Sequence, residues 1–367
     1  MMIKCPLCDK EIKETQKFIV YGEHTKVAIC RDCFKRGVEK GEIFYCDIHE
    51  RWEKRQKIDV IKGNKIISVC DDVRYDDYLI KKCSICGNLY ITNKRDNHIC
   101  CMCAVENNML PISEKIHSYH NSKNKIHPFL GNKNEDLFFG YEIESEFSNR
   151  FEETGNDRIE AVLDIDEEVR KLFFFENDGS LNYGFETISY PMSYEFMRNN
   201  KAIERIIDGL KQNMIVTNRC GLHIHVSKTN KVNKKMPQII MFFENNKEFF
   251  EKISNRSENR YADFYSSRDA KLTLNDAKII FDNKEAFERY HVINLKNDNT
   301  IEFRLFAGTL DSKRIIAYTQ LILTLLDMDI KEDTPLCEIR KNASDEFVEL
   351  IDLLDSMYIK DTIELNA

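Results

Sequence analysis

FFGYEIESEF, residues 138–147, divides its side chains between two faces. Successive residues of a strand point to opposite sides, so Phe139, Tyr141, Ile143 and Phe147 share one face while Glu142, Glu144 and Glu146 share the other. Neighbouring carboxylates on such a face stand about 6.7 Å apart and repel by roughly 2–3 kcal/mol at an effective dielectric of about 20. Splaying into solvent relaxes the repulsion, and the stretch is then an exposed acidic strand. A cleft forbids splaying, and bound cations reverse the sign.

Three further stretches bear on the choice: GFETISY (184–190), GLHIHVS (221–227) and TIEFRLF (300–306). In the second, Leu222, Ile224 and Val226 take one side and His223 and His225 the other. In the third, Ile301, Phe303 and Leu305 oppose Glu302 and Arg304. A lone His-x-His is commonly surface or hydrogen-bonded structure. Three strands with the same division point to one convergent polar face. Oxygen-rich donors with an imidazole suit magnesium or manganese better than zinc. Hard cations beside arginines are what polyphosphates require. No GxxxxGKS or GxGxxG phosphate loop is present, so ATP, if used, is held by metals and basic side chains.

Helices are expected at about 158–172, 200–213, 237–254 with Pro237 in the first turn, 312–329 and 345–357. Strands and helices are separated too irregularly for a βαβ wheel. The expected class is α+β with a largely antiparallel sheet.

Upstream the composition changes. Of 13 cysteines, eleven lie between Cys5 and Cys103 and only Cys220 and Cys337 lie beyond. They form three tandem units: Cys5-x2-Cys8 with Cys30-x2-Cys33, Cys46-x2-His49 with Cys70, and Cys83-x2-Cys86 with Cys100-x2-Cys103. Paired knuckles of this spacing place four thiolates around a zinc ion, whose binding stabilises a region with too small an apolar core. In the second unit Val73 stands where a fourth ligand belongs, so either Asp71 or Asp72 substitutes or the site has decayed. His98 and Cys101 flank the third unit. A disulfide framework needs an oxidising compartment, and MMIKCPLCDKEIKE contains no apolar run of signal-peptide length. No segment reaches the ~20 apolar residues of a membrane span. The expected location is the cytoplasm. The net charge of −8 and interspersed basic residues disfavour bulk nucleic-acid binding. The expected division is a zinc-knuckle module at 1–110, a linker at 111–136, a catalytic domain at 137–330 and a C-terminal helical segment at 331–367 packing on it.

The order GYEIESEF, ENDGSLNYGFETISYP, CGLHIHVS and RYHVINLKNDNTIEFRLFAGTLD, over roughly 126–325, resembles the amidoligases, relatives of glutamine synthetase and glutamate–cysteine ligase. The knuckle region is similar to extensions on some members. The resemblance implies a glutamine-synthetase-like fold, a curved antiparallel sheet backed by helices. It also implies ATP-dependent joining of a carboxylate to an amine through an acyl phosphate. On it, Glu142, Glu144, Glu186, His223 and Glu302 are magnesium ligands, His225 lies near the nucleotide phosphates and Arg304 contacts phosphate or substrate. Arg256 and Arg260 fall at motif positions as nucleotide-side cations, and Asp178 and Asn294 at motif positions without an assigned role. Ala262 stands where many amidoligases carry cysteine, and Glu146 adds a third carboxylate in register. Implied substrates are an amino acid, peptide or protein. Two other readings remain: a zinc-dependent module for nucleic acid or a protein partner carrying an inactive ligase-like domain, and a metallohydrolase on the same face.

Overall fold

The computed structural model describes residues 2–351 except 24, 64, 76–78, 93–97, 120–126, 133, 149–156, 258–260 and 349–350. The chain separates into two compact units, one of residues 1–109 and 124–129, the other of 110–123 and 130–367.

An eight-stranded sheet organises the larger unit. Across it run Ile116–His117, Phe173–Glu176, Gly184–Ser189, Phe139–Phe147, Leu222–Ser227, Thr300–Phe303 and Ile293–Asn294, and Met214–Ile215 pairs the end of Phe139–Phe147. Among the described strand pairs of this sheet, only the edge pair Ile116–His117 with Phe173–Glu176 is parallel. The class is α+β, as the alternating strands indicate. Tyr141, Ile143, Phe185, Leu222, Ile224, Val226, Ile301 and Phe303 are all buried on the apolar face. The helices Asn230–Asn245 and Ser312–Asp327 pack behind it: Phe243 lies 5.9 Å from Phe303, and the Tyr141 hydroxyl 3.1 Å from Thr319 Oγ1. Each such side chain contributes about 1.5–3 kcal/mol by leaving water.

Gly184 permits the close pairing of two central strands. A Cβ there would stand 2.1 Å from the Ser145 carbonyl oxygen and 2.9 Å from Glu146 Cα, both backbone atoms.

Several helix expectations are corrected. The run 158–172 divides into Asp157–Leu163 and Glu167–Arg170, because Asp166 caps the second piece by accepting the Val169 N–H. Phe173–Glu176 follows as a strand; FFFE is buried throughout and so shows no alternation. The helix expected at 237–254 begins at Asn230, where Thr229 accepts the Val232 N–H, so Pro237 lies inside it rather than in its first turn. It breaks at Asn246 before a second helix, Lys247–Ser254. The TIEFRLF ladder ends at Phe303, although the Arg304 N–H still reaches the Val292 carbonyl at 2.9 Å. Helices at Ala202–Leu210 and Ser312–Asp327 match the 3.6-residue periodicity. The expected 345–357 helix lies largely outside the described residues.

In the smaller unit, short hairpins link the knuckles. Phe18–Tyr21 and Lys26–Ile29 join Phe44–Cys46 and Arg51–Glu53 in one four-stranded sheet, while Lys57–Lys62, Lys65–Cys70, Leu79–Lys82 and Leu89–Thr92 form another. Among the described residues no helix is long and apolar enough to cross a membrane.

Candidate active site and cysteine clusters

Strand register assembles the polar face. Glu142 is paired with His223, Glu144 with Glu186, and His225 with Glu302. Directly paired residues project to the same side. The expected acidic and imidazole groups therefore meet across four strands.

Glu142 is central. Its Oε2 lies 2.9 Å from His223 Nδ1 and its Oε1 3.0 Å from His225 Nε2. Two donor triads share it: Glu142, His225 and Glu302, and Glu142, Glu186 and His223, each with candidate ligand atoms within 4.8 Å of one another. Glu144 Oε2 accepts the Gly221 N–H at 2.5 Å, and its Oε1 stands 3.9 Å from His223 Nε2. Glu146 instead accepts the Asn182 N–H at 2.8 Å, so backbone engages the third carboxylate of the strand.

Titration follows from this packing. Burial opposes ionisation of Glu142, but the charge of His225 and hydrogen bonds from both histidines outweigh it and hold the carboxyl well below its usual range. Burial disfavours the His225 cation, yet Glu142 and Glu302 raise its pKa to about 9. Glu186 goes the opposite way: burial, then the charges of Glu142, Glu144 and Asp178, push it well above the ordinary value. Such a divergence among adjacent carboxylates is typical of sites built around cations or proton transfer.

Glu302 is clamped by donors. Arg304 Nη1 reaches its Oε1, and Asn294 Nδ2 and Asn297 Nδ2 reach its Oε2 at 2.7 and 3.0 Å. Burial raises its pKa, but His225 and Arg304 hold it below the ordinary value despite Glu142. Arg304 Nε also donates to the Tyr261 carbonyl at 3.2 Å, which ties the segment containing Ala262 to the site. Arg256 Nη1 donates to the Arg304 and Phe306 carbonyls at 3.2 and 3.4 Å. Arg260 lies outside the described residues.

Sequence reasoning missed Asn297 and Glu176. Asn297 sits in a turn, where no periodicity marks it. Glu176 is paired with Glu186 and is buried, but its strand has no polar alternation to reveal the face.

The cysteine clusters form as the spacing indicates. The ligand atoms of Cys5, Cys8, Cys30 and Cys33 lie within 4.8 Å of one another, as do those of Cys83, Cys86, Cys100 and Cys103, and those of Cys46, His49 and Cys70. Cys8 and Cys30 sulfurs stand 3.6 Å apart, and those of Cys86 and Cys100 3.9 Å. A tetrahedron with Zn–S bonds of about 2.3 Å has edges of about 3.8 Å, so both four-cysteine groups can hold zinc. Burial opposes the thiolates of Cys5 and Cys83, but backbone N–H donors, foremost those of Cys30 and Cys100, bring them down to about 7 and about 6.

Fold and site together define an α+β protein whose sheet presents a buried carboxylate–imidazole face edged by arginine. Residues 134–326, more than half of the chain, match the family described as "Putative amidoligase enzyme", and the chain belongs to that family. No curated protein matches the sequence.

Proposed function

We propose that the larger unit is an ATP-dependent carboxylate–amine ligase with a glutamine-synthetase-like site. The observation that carries this reading is the pair of donor triads sharing Glu142, on the face bordered by Arg304 and Arg256. Family membership supports ligation and carboxylate and amine substrates. Hard, oxygen-rich donors with single imidazoles fit magnesium or manganese. Glu142, Glu144, Glu186, His223 and Glu302 would hold the ions, whose chemistry is to neutralise charge on phosphate oxygens.

In the reaction a carboxylate oxygen bonds to the terminal phosphorus of ATP as the P–O bond to ADP breaks and ADP leaves. The amine nitrogen then forms the C–N bond, the C–O bond to phosphate breaks, and the amine loses a proton. The chain's own contribution is positioning and charge. Glu302 fixes the Arg304 guanidinium beside the donor triads, where it would contact the transferring phosphoryl group. His225, which lies between Glu142 and the Thr300 hydroxyl at 3.1 Å, would face the nucleotide phosphates. Arg256, and Arg260 by its motif position, would add positive charge on the nucleotide side.

The remaining assignments belong to the same reading. Residues 1–110 form a zinc module available to a protein partner and 137–330 carry catalysis; within the expected linker Ile116–His117 is a strand of the large sheet, and of the expected C-terminal segment residues 352–367 lie outside the described residues. The thirteen cysteines, none in a disulfide, suit a reducing cytoplasm.

The test is calorimetric and kinetic. Purified protein should bind Mg-ATP, and ATP turnover should rise when a carboxylate and an amine from an amino-acid and peptide panel are both supplied. Glu142→Ala should abolish turnover. Failure of the folded wild-type protein to bind Mg-ATP overturns the reading.

A further inference from the structure

The second knuckle unit lacks a fourth ligand by spacing, because Val73 occupies the position that Cys33 and Cys103 hold in its neighbours. Val73 is fully buried and offers no donor atom. The rest of the unit nevertheless keeps the neighbours' plan. The Cys30 N–H donates to Cys5 Sγ at 3.3 Å, the Cys100 N–H to Cys83 Sγ at 3.4 Å, and the Cys70 N–H to Cys46 Sγ at 3.4 Å. His49 Nδ1 faces Cys70 Sγ at 3.2 Å.

A carboxylate approaches this trio from the hairpin. Arg51 is paired with Cys46 and Glu53 with Phe44, so Glu53, two residues beyond Arg51, projects to the same side as Cys46. It is fully buried, and its Oε1 stands 3.7 Å from His49 Nδ1. Its Oε2 makes no hydrogen bond, although Arg55 Nε is 3.3 Å away. Arg51 Nε donates to Oε1 at 2.7 Å, so two guanidinium cations already offset the buried carboxylate and Oε2 is the oxygen left without a hydrogen bond beside the trio.

We infer that Cys46, His49, Cys70 and Glu53 form a third zinc site, of mixed thiolate, imidazole and carboxylate composition, in which Glu53 supplies the donor that Val73 cannot. Two thiolates and a carboxylate against a divalent ion leave one negative charge. Arg51, 2.7 Å from Glu53 Oε1, and Arg55 offset it. The unit also has an apolar core of its own, in which Ile58, Val60, Val69, Val73 and Ile91 pack around Cys46 and Cys70. Substitutions at the site should therefore leave the unit folded. This site is independent of the ligase reading.

The experiment measures zinc on the full-length chain by elemental analysis, then its release to a chelator. Three zinc ions per wild-type chain are expected. Glu53→Gln should weaken one of them by at least about 10- to 100-fold, the range for loss of a group that only supports a ligand, and leave the other two unchanged. Cys46→Ser should remove one ion. Stepwise cobalt loading of the wild type gives a readout without any variant: one equivalent should show thiolate-to-metal absorption about half that of the others, for two sulfurs against four. Two zinc ions per wild-type chain, or three equally thiolate-rich cobalt sites, overturns the site. Three ions with release unaltered by Glu53→Gln overturns the role of Glu53.

Discussion

Replacing Glu302 by alanine removes the acceptor on which three buried or half-buried donors converge. Asn294 Nδ2 at 2.7 Å and Asn297 Nδ2 at 3.0 Å lose a shared oxygen, and the Arg304 guanidinium loses its ion-pair partner. Each stranded neutral donor costs about 1–3 kcal/mol, and breaking a buried ion pair from one side about 3–5 kcal/mol. Relief of repulsion with Glu142 offsets part of this. The net expectation for metal-free protein is a loss of about 3–5 kcal/mol, or roughly 6–20 °C in Tm for a unit of this size. Glu302→Gln keeps one oxygen for the asparagines and should cost less, about 1–2 kcal/mol. Both variants should lose Mg-ATP turnover, because neither retains the carboxylate. Thermal unfolding by circular dichroism in chelator, alongside Mg-ATP calorimetry, separates the two effects. A Glu302→Ala protein that melts within about 2 °C of wild type would refute the account of the clamp.

Two other outcomes follow from the same geometry. His225 has a folded pKa of about 9, above its free value, so its stabilising contribution in metal-free protein is complete below about pH 6.5 and lost as pH rises through 9. The loss amounts to about 3 kcal/mol at most, and His225→Asn should flatten the profile of denaturation midpoint against pH between those limits. Gly184→Ala drives a methyl group against the Ser145 carbonyl and Glu146 Cα, and should cost about 1–3 kcal/mol. Since Gly184 pairs with Glu146, two residues from the Glu144–Glu186 pair, Mg-ATP affinity should fall as well; unchanged melting and binding would contradict the close approach.

Much of this protein is readable from strand alternation and cysteine spacing. Period two is a local property, so the division of Glu142, Glu144, His223, His225 and Glu302 from their apolar neighbours needs no tertiary information. Knuckle spacing is equally local and marks the cysteine clusters. Alternation fails where both faces of a strand are covered, which is why Phe173–Glu176 and its Glu176 were missed. It is silent in turns, where Asn297 resides, and a proline does not reveal that a helix began seven residues earlier under a Thr229 cap.

By itself, then, the sequence determined which side chains share a face and which cysteines can meet. Register between strands far apart in the chain was decided only by the tertiary structure: it set Glu142 against His223 and His225 and gave Glu146 to the Asn182 N–H. The physical reason is that register depends on how whole apolar faces pack on the helices behind them, a sum over many residues that no single stretch encodes.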